Sequence, residues 1–460
     1  MNASIDRREH NPLVPLLLGS GAAAIAFLPS GAAQVVAAGA LLAAPCLWFV
    51  LLKPDRWLSL FFAACLLAPP LPVAAGNSGP HVALGLACCG LLVGLLRAGD
   101  WQPRFHAVTV RLGLLFAALL GSVSFALFYS GAGVAAGSLA RVCLFGIGCY
   151  VFVFTAWGPE QRHRRLAAQL FWFAAGSALF ACLDFYFQWP APAGYGPQFI
   201  WLDSGVFRRA QGVFYEASTL GNLCVFFLTM CAVALLRPRD EGPVPRLAIA
   251  GAAPLLATAL VLSYSRASLV TLCVSVGTLF LLQKKGLPVR RWGFLAAASM
   301  AAGGTLAFLL FPEFVRGYLA RIALSVQFLF SATNGVLSGR VESWQRLTTF
   351  LIEHPWHLLF GVGYKTLPYS DVAGAPLIAD NMYLSLLAET GFVGLLAFLA
   401  LNIAILQAGW RARSSFYGAW IFSFWTGQTI QMLSGDLLTY WRVIPIYFWV
   451  LAQTIRVERE

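Results

Sequence analysis

Apolar runs long enough to cross a lipid bilayer recur from one end of this chain to the other, and little else separates them. A helix needs about 20 residues to span a hydrocarbon core of about 30 Å. Within lipid only helices and closed barrels satisfy every backbone polar group. The runs fall at roughly 13–29, 33–52, 57–75, 82–97, 111–130, 138–157, 166–188, 217–236, 247–264, 267–283, 292–311, 382–408, 416–435 and 441–455. That makes about 14 spans, or 12 if the first two form a re-entrant pair. Charged residues make up 11% of the chain and hydrophobic ones 59%, against about 25% charged in a soluble domain. The expectation is an all-α integral membrane protein, a polytopic helical bundle in which residues 1–460 form a single membrane domain. The opening MNASIDRREHN and its apolar run resemble a signal peptide, but another span follows within a few residues. We therefore read an uncleaved first helix.

The net charge of +12 does not point to nucleic acid, because most of the 31 Lys and Arg residues sit in short loops between apolar runs. Placing the N-terminus in the cytoplasm puts most of these residues inside, as the positive-inside rule requires. Both termini are then cytoplasmic. Arg141, Arg208, Arg209, Arg266, Arg316, Arg321, Arg340, Arg346, Lys365 and Arg442 are left on the outer side. They gather on two long outer loops, about 189–216 and 312–380, and on nearby helix ends. There they face either lipid headgroups or an anionic substrate. The larger loop carries two amphipathic segments. Val315, Leu319, Ile322, Val326 and Leu329 make one apolar stripe, and Val341, Trp344, Leu347 and Leu351 make another. Both read as helices lying on the outer surface or capping a cavity. FGVGYK at 360–365 is a glycine turn without the Gly-Lys-Ser/Thr ending of a nucleotide loop. The 10 cysteines all lie in apolar runs without metal-ligand spacing and read as small helix residues.

The chain lacks HExxH, Gly-x-Ser-x-Gly, an Asp-x-Asp diphosphate–metal motif and a dinucleotide fingerprint. No metal or cofactor is expected, so a phosphate leaving group would rest on protein cations. Arginine suits that task because its fork matches phosphate oxygens and stays charged. The candidates are Arg208 and Arg209, one of the two being structural, with Arg266 in SYSRASL and Arg340 at the head of an amphipathic helix. The candidate bases are Asp380 and Glu216, each at the outer start of a span, where a helix cap is the alternative reading. Glu389 lies deeper in its span. It is a functional candidate as an intramembrane carboxylate, or it bonds only to backbone or Thr390. His81, His354, His357, Asp184 and Asp436 are weaker candidates.

SGRVESWQ, EHPWHLLFGVGY and DNMYLSLLAETGFVG, preceded by RAQGVFYEASTLGN and SYSRASL, resemble the O-antigen ligase and polymerase superfamily of bacterial inner membranes over roughly 205–400. The resemblance implies a GT-C-like glycosyltransferase with a large periplasmic loop, using a glycan linked to undecaprenyl diphosphate among membrane lipids. The acceptor is a hydroxyl of a second glycan (polymerase) or of lipid A–core (ligase), with inversion and without metal. It also implies that Arg209 or Arg208, Arg266 and Arg340 hold the diphosphate. Asn381, Gly391 and Gly394 match the ligase motif in register. The family's ligases carry histidine where this chain has Asp380. With Glu216 in the Phe-Tyr-Glu triplet, that favours polymerase over ligase. A lipid-linked-oligosaccharide flippase is the competing class, disfavoured because the conspicuous arginines face one side and no repeat relates the halves.

Overall fold

The computed structural model describes residues 53–70, 81–102, 105–158, 163–191, 195–202, 205–238, 240–282, 312–327 and 340–459, with three isolated residues besides. The spans expected at 13–29, 33–52 and 292–311 lie outside these. Among the described residues there are thirteen α-helices. The first four are α1 (Pro54–Leu67), α2 (Val82–Leu96), α3 (Ala107–Trp157) and α4 (His163–Phe187). A hairpin of β1 (Phe199–Leu202) and β2 (Gly205–Arg208) follows, then α5 (Ala217–Leu236), α6 (Arg246–Leu262) and α7 (Arg266–Leu282). The two amphipathic segments form α8 (Pro312–Gln327) and α9 (Arg340–Glu353), and α10 (Trp356–Phe360) is a short turn of helix. The chain closes with α11 (Met382–Arg411), α12 (Phe416–Gln431) and α13 (Ile444–Arg459).

The helical expectation holds, with two differences. The antiparallel hairpin within 195–208, pairing Phe199 with Arg208 and Leu202 with Gly205, is the strand structure among described residues that are otherwise helix, turn or loop. Its aromatic and β-branched residues suit a pleat, and the loop around it is too polar to enter lipid. Several helices are also shorter than the runs that suggested them. Among the described residues, α3, α4, α5 and α11 are long and apolar enough to cross a membrane by length and composition, while α1, α2, α6 and α7 are shorter apolar helices. Helix α1 stops at Leu67 because the following APP cannot continue it. Helix α12 stops at Gln431, where the chain turns to line a cavity.

Two glycines break long helices. A straight helix with the 51 residues of α3 would be about 76 Å long, far more than a bilayer. The backbone leaves helical geometry at Gly131. The Gln102 amide meets the Trp157 carbonyl at 3.2 Å, and Phe116 abuts Gly146. The two arms therefore run antiparallel, matching the runs expected at 111–130 and 138–157. In α11 the break is at Gly391, φ 67°. The glycine turn of 360–365 docks into it: Val362 N–H donates to Ala388 O at 3.0 Å and Gly363 N–H to Glu389 O at 2.8 Å. The carbonyls released by the break are thereby satisfied inside the protein, as a membrane-embedded helix requires. A Cβ on Gly361 would lie 2.3 Å from the Glu389 carbonyl carbon, and one on Gly391 2.1 Å from Leu359 O.

Small residues bring the remaining helices close, as lipid-embedded packing favours. A Cβ on Gly427 of α12 would sit 2.5 Å from Ser275 Oγ of α7. A buried polar network ties α5, α7, α12 and α13 together. Asn222 donates to Gln428 at 2.6 Å and Gln431 at 2.8 Å, Thr271 donates to Gln431 at 2.8 Å, and Tyr447 donates to Asn222. Arg442, buried, donates to the carbonyls of Cys65, Val213 and Ala68 at 2.7–2.8 Å and so clamps the end of α1 to the loop before α5.

Gly361→Ala is expected to lower the folded yield and thermal midpoint in detergent, since left-handed strain alone costs about 1–3 kcal/mol and the backbone clash adds to it. Gly251→Ala, in α6 with open space around it, should leave both unchanged or slightly raised.

Candidate functional site

At one end of the bundle, where α5, α7 and α11 begin and α6 and α12 end, lies a cavity of about 690 Å³. Its size is that of a ligand pocket. Arg209, Arg266, Arg340, Glu216, Asp380 and Glu389 all line it, although they come from distant stretches of the chain.

Each is held by local structure. Arg209 follows β2, with its amide on Gln198 O at 2.8 Å and its Nε on Ser263 O at 2.8 Å, at the end of α6. Burial presses its guanidinium below the ordinary value; Tyr440 and Glu216 oppose this, and the neighbouring Arg340 and Arg266 add to it. Arg340 and Arg266 are thus close enough to Arg209 to act on its charge, which favours an anion beside it. Arg266 opens α7 after a tight turn in which Tyr264 is left-handed, φ 51°. Arg340 opens α9, and its Nε lies 3.3 Å from Asp380 Oδ2.

Asp380 is not the cap of α11. Asn381 caps it, its Oδ1 accepting from the Tyr383 and Leu384 amides at 3.0 and 3.1 Å. Asp380 instead sits in left-handed backbone, φ 46°, with its side chain 49% exposed. Glu216 occupies the cap position of α5 without bonding the helix amides. It accepts from Ser218 Oγ at 3.1 Å and Thr219 Oγ1 at 2.6 Å. Burial pushes its carboxyl above the usual range, against those two hydroxyl bonds and Arg209.

Arg208 does not join the group. Its Nη2 meets both Asp184 oxygens at 3.1 and 3.2 Å, and its Nη1 meets Trp189 O at 3.1 Å. Neighbouring residues at a strand end point to opposite sides, so only one of the pair reaches the cavity. Glu389 does not bond Thr390, whose hydroxyl donates to Leu386 O. Gly391 and Gly394 shape α11 rather than line the cavity. His81 caps α2, and His354 and His357 stack on Phe350; none of the three lines the cavity.

Lys365 and Arg141, which the sequence marks only as outer-side cations, and Asp436, a weaker candidate, also line the cavity. Lys365, 8% exposed, pairs with Asp436. Burial lowers its affinity for a proton; Glu389 opposes this, and Arg141 adds to it. Arg141 lies 4.3 Å from the centre of the Tyr369 ring. It is a lone cation inside an apolar run, a signal that by itself marks a functional candidate.

Long apolar helices around a cavity lined by arginines and carboxylates define an integral membrane protein with a polar site at one end of its bundle. The family model described as O-antigen ligase matches residues 251–399, about a third of the chain, covering Arg266, Arg340, Lys365, Asp380 and Glu389. The match supports the resemblance to the O-antigen ligase and polymerase superfamily, whose members are glycosyltransferase-like. A search of curated proteins gave no match.

Two predictions follow from these environments. Arg208→Ala leaves Asp184 buried and unpaired and should cost about 3–5 kcal/mol of stability, read as a lower thermal midpoint. Glu216 holds its proton more tightly in the folded than in the unfolded chain. Its contribution to stability is therefore present below the unfolded value of 4.5 and lost as pH rises through the raised folded value. Glu216→Gln should flatten that part of the stability–pH profile.

Proposed function

We propose that this protein is a membrane glycosyltransferase of surface-polysaccharide assembly. It transfers a glycan from undecaprenyl diphosphate to a hydroxyl of an acceptor glycan, on the periplasmic face of the bacterial inner membrane. The observation that carries this reading is the convergence of Arg209, Arg266 and Arg340 with Asp380 and Glu216 on one cavity. Three guanidiniums on one cavity match a diphosphate, and the carboxylates beside them supply a proton acceptor.

In this mechanism the lipid-linked diphosphate rests on Arg209, Arg266 and Arg340. The acceptor oxygen attacks the anomeric carbon from the face opposite the phosphate, with inversion. Asp380 takes the hydroxyl proton as the new C–O bond forms. The bond between the anomeric carbon and the phosphate oxygen breaks, and the arginines stabilise the charge gained by the departing diphosphate. No metal is needed for these steps. Asp380 is chosen over Glu216 because it is half exposed and reachable, whereas burial favours the protonated form of Glu216. The pairing of Asp380 with Arg340 holds the base beside the leaving group.

Polymerase is the favoured reading, because aspartate stands where the resembling ligases carry histidine. The description of the matched family supports ligase as the second reading. The glycan profile of cells lacking the protein separates them: accumulated single lipid-linked repeat units mark a polymerase, and long lipid-linked chains that never reach lipid A–core mark a ligase. Repeat units trapped on the cytoplasmic face would instead mark a flippase. With purified protein in nanodiscs and lipid-linked repeat units from the host, Arg266→Ala and Arg340→Ala should each slow transfer by on the order of 100-fold or more. Near-normal turnover in both would remove the diphosphate assignment.

A further inference from the structure

The proposed mechanism leaves one cation of the cavity without a task. Arg141 lines the same cavity as Arg209, Arg266 and Arg340. It projects from the second arm of α3, within an apolar run, where a charge is costly unless something pairs with it. Other cations of the cavity are fastened: Arg209 to Ser263 O, Arg340 to Asp380, Lys365 to Asp436. Among the described residues Arg141 donates no hydrogen bond and forms no ion pair. Its contact is with the Tyr369 ring, whose centre lies 4.3 Å away. Glu389 and Arg141 interact electrostatically, but the Glu389 carboxyl accepts from the backbone amides of Lys365 and Leu367 instead. A ring attracts the cation yet offers its N–H groups no acceptor oxygen.

These N–H groups are reachable. Arg141 is half-buried, and none of its nitrogens is among the buried polar atoms that lack a partner. Having no partner within the protein, each therefore keeps accessible surface. The guanidinium is also held in place. It lies back over Gly137, four residues earlier, where a Cβ would come within 3.1 Å of Nη1. The Tyr369 ring is 49% exposed and lines the cavity, as do Leu377 and Ile378. The chemistry of the occupant follows from this setting. One unpaired cation matches one negative charge, whereas a diphosphate carries more and meets three arginines on the same cavity. The planar fork of N–H donors fits a carboxylate through two parallel hydrogen bonds. The aromatic and aliphatic walls fit the C–H face of a ring rather than a hydrated ion. A sugar acid has both features.

We propose that Arg141 and Tyr369 form a subsite for a carboxylate-bearing sugar, and that the glycan this protein handles is acidic. The Arg141 guanidinium donates to the carboxylate, and the Tyr369 ring meets the sugar's C–H face. Both act as specificity residues: they select the acid over the corresponding neutral sugar and take no part in bond making. The proposal deepens the glycosyltransferase reading and rests on it for the identity of the sugar as part of the donor or acceptor glycan.

The test begins with the sugar composition of the host's lipid-linked repeat unit, which is expected to include a carboxylate. The full-length protein, in nanodiscs of neutral lipid, is then titrated with three probes: the delipidated repeat unit, the same oligosaccharide with its carboxyls reduced to alcohols, and undecaprenyl diphosphate. The wild type is expected to bind the acid form roughly tenfold or more tightly than the reduced form. Arg141→Gln and Tyr369→Ala should remove most of that preference while changing undecaprenyl diphosphate affinity by less than about twofold. Arg266→Ala should give the reverse pattern. Tyr369→Ala alters a half-exposed ring and keeps the test decisive if Arg141→Gln folds poorly. The proposal is overturned if the repeat unit carries no carboxylate, if the wild type binds the two forms alike or binds neither, or if the folded variants keep the preference. It is also overturned if Arg141→Gln weakens undecaprenyl diphosphate as Arg266→Ala does, which would make Arg141 a donor-site arginine. The preference is read by binding alone, so a protein that keeps it but transfers no glycan would count against the glycosyltransferase reading and not against this subsite.

Discussion

The contact between the 361–363 glycine turn and the break in α11 is the constraint on which the site depends. A helix interrupted at Gly391 exposes carbonyls that lipid cannot satisfy. The amides of Val362 and Gly363 satisfy those of Ala388 and Glu389, and the fit leaves no room for a Cβ on Gly361 or Gly391. One contact thus fixes three things. It seats the large polar loop on the bundle, places Lys365 two residues beyond the turn, and sets Glu389 at the break, where its side chain lines the cavity. The amphipathic helix α9 is joined to the same region through the Trp344 indole on Ala379 O at 2.7 Å and the Arg340–Asp380 pair.

Burying this many charges is costly, and the structure offsets the cost by interleaving them. Arg141, Arg209, Arg266, Arg340 and Lys365 share the cavity with Glu216, Asp380, Glu389 and Asp436. The cations are fastened to carbonyls and carboxylates on helix ends: Arg209 to Ser263 O, Arg340 to Asp380, Lys365 to Asp436. On the proposed reading, a diphosphate entering this site meets donors already fixed in place, so little reorganisation is left for the reaction step. Several arginines outside the cavity serve differently. Arg442 is a structural clamp on three carbonyls, Arg208 neutralises the buried Asp184, and Arg316 and Arg346 pair with acids on their own exposed helix faces.

Much of the fold was legible because apolar length and the amphipathic stripes are local properties. The helices α8 and α9 fall where Leu319 and Leu347 put their stripes. The β-hairpin was not foreseen, since four-residue strands carry little periodicity. Helix ends were overdrawn where hydrophobic residues continue past a break, as after Leu67. In the site, Arg266 and Arg340 stood out as cations on the side where cations are disfavoured. Which of Arg208 and Arg209 faces inward depends on strand register, and Asp184 was the missing partner that decides it. Lys365 was hidden because its importance comes from the docked turn, a long-range contact that spacing does not reveal. Asp380 and Asn381 divide two roles that the sequence left together: the asparagine caps, and the aspartate faces the cavity.

The most direct test of the account is a cryo-electron microscopy structure of the full-length protein in nanodiscs with undecaprenyl diphosphate. The account predicts diphosphate density within hydrogen-bond distance, about 3 Å, of the guanidiniums of Arg209, Arg266 and Arg340, with the Asp380 carboxylate facing the space beside it. Diphosphate bound elsewhere, with those three side chains making no contact to it, would contradict the account.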